Sequence, residues 1–260
     1  MSGAAGVVAL ILLEWTVGLV AVGAWTQSWD VVKRGHFRII AYTGIALAVL
    51  TLLAVRAADG AGDAAPVAVA VVAGLTAVYL LVQYSNTDLP GVVAGVAIAA
   101  AGVVALGSLA AALDGWNVAL ATVEVVAGAA LLGAVTNGML LGHWYLNQPG
   151  LKPWALARLT TLALVATAVT GALGLAVAGK LAGATTEGAV LGIPGFGDSF
   201  GLAFFVIWLA LAGFTGGVVW AARRCVAIKS IQSATGLYYV ALLTAGVAEF
   251  LVRYLMVNAA

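Results

Sequence analysis

The chain has 260 residues, 64% apolar and only 8% charged, where a soluble domain carries roughly 25% charged residues; with a mean hydropathy of +1.13 it reads as an integral membrane protein. A net charge of +1 supplies no basic field and excludes nucleic acid as a partner. One cysteine, Cys225, and two histidines are too few for an intramolecular disulfide, a four-ligand His/Cys zinc site or two bis-histidine haems.

A membrane-spanning helix needs about 20 mainly apolar residues. Eight windows qualify: 4–27, 37–56, 65–84, 91–113, 117–146, 154–179, 199–221 and 232–257. The expected fold class is therefore all-α, a polytopic bundle of about eight transmembrane helices forming a single domain over 1–260. The first window reads as a retained span, because no basic segment precedes it and Glu14 sits in its middle, about 15 Å deep at the rise of a helix. His36 opens the second span behind Lys33 and Arg34. Gly91 and Gly95 form a Gly-x-x-x-Gly pair in the fourth, as do Gly138 and Gly142 in the fifth and Gly213 and Gly217 in the seventh. Such pairs let backbones approach closely and are read here as packing within the chain.

The fifth span carries Glu124 in its outer half, on a face with Gly128, Leu131, Val135, Gly138 and Gly142, as either a proton-relay group or a protonated carboxyl bonded to a neighbouring helix. It closes in the run Asn137-Gly-Met-Leu-Leu-Gly-His143-Trp144-Tyr145-Leu-Asn147-Gln148-Pro149. Thr136 stands seven residues before His143 on the same face. The stretch from Lys180 to Asp198, with Thr185, Thr186, Glu187 and Pro194, is either a docking surface or a plain connector. In the eighth span Glu249 and Arg253 have the i, i+4 spacing of an ion pair. Glu14, Glu124, Glu249 and Arg253 are costly in hydrocarbon unless paired or neutral, so they are candidates for a proton relay or a buried ion pair.

Lys33, Arg34, Arg38, Lys152, Arg158, Arg223, Arg224 and Lys229 fall in or beside one set of alternate loops, and Arg56 and Lys180 in the other. Eight against two puts the first set in the cytoplasm and both termini on the non-cytoplasmic side. Trp25, Trp29, Trp116, Trp144, Trp154 and Trp220 lie near span ends, the depth that indoles favour. Both histidines then share the cytoplasmic edge. Two imidazoles there are interfacial residues, the axial ligands of one haem b, or hydrogen-bond partners of a quinone. The quinone reading takes His143, Asn137 or Asn147, and His36 as polar partners and Trp144 and Tyr145 as walls.

The run Thr235-Gly-Leu-Tyr-Tyr-Val-Ala-Leu-Leu, followed by Ala248-Glu-Phe-Leu-Val-Arg-Tyr-Leu255, resembles the closing helix of the membrane-anchor subunits of dimethyl sulfoxide and polysulfide reductase-type enzymes. Leu13-Glu14-Trp15 is loosely similar to that family's first span, although no His-Leu-Gly-x-Pro segment follows the second helix here. The resemblance implies a subunit that exchanges electrons with quinone on behalf of partner redox subunits, holds no metal centre of its own, and sits in the cytoplasmic membrane of a prokaryotic cell. Two other classes stand beside it: a proton-coupled secondary transporter using the three glutamates, and a purely structural membrane subunit of a larger complex. The five prolines all lie at or beyond span ends, which counts against the transporter.

Overall fold

The computed structural model describes residues 1, 3–185 and 199–259. Among them lie eight helices long and apolar enough to cross a membrane: α1 (Gly3–Gln27), α2 (Arg34–Ala57), α3 (Ala64–Val82), α4 (Leu89–Ala111), α5 (Val118–Trp144), α6 (Trp154–Ala176), α8 (Phe200–Ala227) and α9 (Ile231–Asn258). A short α7 (Ala178–Ala182) follows α6. No described residue is in a strand.

The chain breaks where its backbone chemistry dictates. Pro90 lies in the first turn of α4 and Pro153 directly precedes α6, positions where a missing N–H costs nothing. Gly60 and Gly62 take φ of +73° and +70° in the α2–α3 connection, a region that side-chain-bearing residues avoid. Asn117 caps α5, its side chain accepting from the Leu120 N–H at 3.0 Å.

Three expected boundaries move by three residues or more, the first being the start of the second window, where α2 already begins at Arg34. The sixth window ends early because the chain turns at Val177 into α7. The seventh runs on to Ala227, since Arg223 and Arg224 continue the helix beyond its apolar part while their heads reach sideways, Arg223 to the Thr161 hydroxyl at 3.2 Å and Arg224 over the Trp220 ring. The stretch expected as a docking surface or connector begins within α7 at Lys180 and is described as far as Thr185; its remainder, with Thr186, Glu187, Pro194 and Asp198, lies outside the described residues.

Helices α1–α4 pack as one group and α5, α6, α8 and α9 as another, and the groups meet where α1 touches α5 and α9 and where α4 touches α5. Lipid tails are as apolar as these helix faces and supply no hydrophobic drive between them, so this contact rests on close packing. A methyl at Gly18 would collide with the Ala129 carbonyl, and one at Gly133 with the Gly18 backbone. The Gly-x-x-x-Gly pairs divide. Gly91 and Gly95 pack on Gln27 and Ala24 of α1, and Gly138 and Gly142 on Tyr238 and Thr235 of α9, whereas Gly213 and Gly217 face open space.

Candidate functional site

Three helices deliver four ionisable groups to one place in the half of the bundle nearest the termini. Arg253 projects from α9, Glu14 from α1, Glu124 from α5, and Glu249 stands one turn before Arg253; each is at most 3% exposed. Arg253 Nε donates to Glu14 Oε1 at 2.5 Å and Nη2 to Glu249 Oε2 at 2.8 Å. Nη2 also donates to the Glu124 backbone carbonyl at 3.0 Å, Nη1 faces the Met256 sulfur at 3.0 Å, and Glu124 Oε2 lies 3.7 Å from Nη1.

The lack of a side chain at Gly128 makes the room: a Cβ there would sit 2.5 Å from Glu249 Oε2 and 3.0 Å from Glu14 Oε2. The small-residue face read on α5 is thus the seat of the cluster as well as a packing face. Glu14 Oε2 and Glu124 Oε1 have no hydrogen-bond partner among the described residues. Three carboxyls against one guanidinium leave the group short of positive charge, and a medium that cannot solvate ions tolerates little imbalance. Chemically the arrangement is a buried ion-pair cluster with more carboxyls than cations, a composition that suits a proton held among them. A cavity of only about 10 Å³, bounded by Glu124, Glu249, Arg253 and Trp208, adjoins it. That is about the size of one water molecule.

The residues expected to surround a quinone are divided by the fold. His143 is exposed and opens on a groove of about 540 Å³ between α5 and α9, with Tyr145, Gln232, Thr235 and Tyr239 around it. The Tyr239 hydroxyl lies 3.5 Å from His143 Nδ1. Burial pushes the Tyr145 phenol up to about 12, so it remains a neutral donor, bonded to the Lys152 carbonyl at 2.8 Å.

Trp144 turns the other way. It packs on Gly35 and lies 5.9 Å from His36, and its indole N–H donates to Gln148. His36 is fully buried against Phe37 and Trp144 and does not line the His143 groove. Asn137 is likewise absent from that groove, since its amide donates to the Leu19 and Gly133 carbonyls and ties α5 to α1. Asn147 is exposed in the turn beyond α5, and Thr136 is held by the Trp15 indole at 2.8 Å. The expected cluster thus reduces to His143 and Tyr145, because successive residues at the end of α5 point to different neighbours.

Gln232, Thr235 and Tyr239 were not read as site residues, although Thr235 and Tyr239 stand in the run that carried the family resemblance. Also unread was a buried polar knot at the other end of α1. Gln27 donates to Gln83 at 2.9 Å and to Asp88 at 3.1 Å, and Arg34 pairs with the same Asp88 oxygen at 3.1 Å. The available signal was three amide or acidic side chains at the ends of otherwise apolar spans. Compared with family models, with curated proteins and with solved structures, the chain matches none.

Proposed function

We propose that the chain is a membrane-anchor subunit that binds a quinone headgroup in the α5–α9 groove and serves partner redox subunits, from the cytoplasmic membrane of a prokaryotic cell with both termini outside. The observation that carries the reading is the groove itself: an imidazole able both to donate and to accept, an amide from Gln232, and two phenol rings around a space of about 540 Å³. Gln232 and His143 would serve as hydrogen-bond partners, and Tyr145 and Tyr239 as walls. Leu146 and Ile231 supply the apolar rim along which an isoprenoid tail would leave. A haem held between His36 and His143 draws no support from two rings in different surroundings.

A second reading, a proton-coupled carrier, is favoured by one observation, the Glu14–Glu124–Glu249–Arg253 cluster with two carboxylate oxygens that have no partner among the described residues. The test uses the full chain in lipid nanodiscs with a short-chain ubiquinone as probe. His143→Ala is expected to weaken binding about tenfold, the cost of roughly one charge-assisted or well-placed hydrogen bond, while the protein keeps its melting temperature. Equal binding by the parent and His143→Ala rejects the quinone reading. Proton uptake by proteoliposomes that is lost in Glu14→Gln would then establish the carrier.

A further inference from the structure

At the basic face, where α1 ends and α6 begins, three indoles gather. Trp25 and Trp29 meet edge to face at 4.8 Å between ring centres, and Trp29 and Trp154 lie 5.5 Å apart. Arg158 spreads its guanidinium over this platform, 4.5 Å from the Trp154 ring and 5.5 Å from that of Trp29. Among the described residues no carboxylate pairs with it. Three residues further along α6, Arg223 arrives from α8 and donates to the Thr161 hydroxyl at 3.2 Å. Two cations from different helices therefore converge on the same face of α6, beside a groove of about 540 Å³ walled by Trp25, Trp154, Ala157 and Leu162.

The groove does not end there. Trp25 and Leu162 also bound a second cavity, of about 270 Å³, that continues between the two helix groups past Val17 and Ala21 of α1, Val103 and Leu106 of α4, and Val126 and Ala130 of α5. Trp25 aside, none of its side chains has a polar atom. From Trp25 to Val17 the helix rises about 12 Å, most of the ~15 Å of one leaflet. The whole is a long slot, cationic and aromatic at the interface and purely apolar toward the bilayer centre.

We propose that this slot binds one anionic phospholipid, its phosphate on Arg158 and Arg223, its glycerol beside Trp25 and Trp154, and one acyl chain in the apolar cavity between the two helix groups. Guanidinium forks match phosphate oxygens in geometry and charge, and indoles prefer the headgroup level. The preference for a net negative headgroup has a structural cause. Arg158 already covers one face of Trp29 and one of Trp154, so a choline finds a fixed cation where it would otherwise stack. Such a lipid would join α1 and α6, and with them the two halves of the bundle.

Native mass spectrometry of the full chain in detergent, with added phosphatidylglycerol or phosphatidylcholine of the same acyl chains, tests the assignment. One phosphatidylglycerol should be retained under conditions that strip phosphatidylcholine. Arg158→Gln and Arg223→Gln should each weaken retention about fivefold. Val103→Trp, which fills the apolar end from an exposed position, should abolish retention with both arginines intact. Arg224→Gln removes a cation that stacks on Trp220 outside the slot and should change nothing. The proposal fails if both lipids are held equally, if Arg158→Gln and Val103→Trp retain phosphatidylglycerol at the parental melting temperature, or if short-chain ubiquinone rather than phosphatidylglycerol is the molecule that Val103→Trp loses.

Discussion

Arg253 enters the membrane interior with four of its contacts already placed: Glu14, Glu249, the Glu124 carbonyl and the Met256 sulfur. Burying a cation is tolerable only with such partners, and removing it strands what it paired with. Arg253→Met should therefore cost about 3–5 kcal/mol, read as a large fall in the melting temperature in detergent, and Glu249→Gln much less. The i, i+4 spacing made the Glu249–Arg253 pair legible from sequence, because both partners lie on one helix face. Glu14 was legible only as a carboxyl at midplane depth, since its partner stands 239 residues away and no local pattern records that distance. The longer-range partner changes the expected behaviour of a double variant. Replacing Glu249 by Leu together with Arg253 by Met still leaves Glu14 and Glu124 without a cation, so the double change should recover only part of the loss. Full recovery would mean that the pair acts alone.

Helix pairing turns on which small residue faces which. α1 and α5 approach so closely that Gly18 and Gly133 lie backbone to backbone, and neither belongs to a Gly-x-x-x-Gly pair. Gly18→Ala should therefore lower the melting temperature strongly or abolish the folded monomer. Gly213→Ala, whose new methyl meets nothing within 4 Å, should be silent in the same assay. A strong effect at Gly213 and none at Gly18 would reverse the assignment of the packed faces. Spans and packing-prone residues were readable because length, apolarity and glycine content are local properties. The face of α5 that carries Glu124, Gly128, Gly138 and Gly142 was readable for the same reason. The neighbour across each contact was not, and the division of the expected quinone cluster follows from that gap. His143 and Trp144 are adjacent in sequence, yet they serve different helix interfaces.

At the scale of the molecule, alternation of eight spans puts the α1–α2, α3–α4, α5–α6 and α8–α9 connections on one face of the bundle. Lys33, Arg34, Arg38, Lys152, Arg158, Arg223, Arg224 and Lys229 belong to this face, while the opposite one has Arg56 and Lys180 with Asp59, Asp63 and Asp114. The α3–α4 connection contains no Lys or Arg and so contributes nothing to the charge asymmetry. Its membership of the basic face rests on contacts, through Asp88 to Arg34 and through the Gln83 carbonyl to Arg38. Short loops rich in Lys and Arg are retained on the cytoplasmic side, so the orientation proposed above puts these four connections in the cytoplasm. In a Cys225→Ser background, cysteines placed at exposed Lys33, Asn86 and Asp59 separate the alternatives. A membrane-impermeant maleimide added to intact cells should label Asp59→Cys and leave Lys33→Cys and Asn86→Cys unlabelled until the membrane is opened. Labelling of Lys33→Cys in intact cells would invert the orientation. Labelling of Asn86→Cys together with Asp59→Cys would place the α3–α4 connection on the opposite face and contradict the Arg34–Asp88 contact.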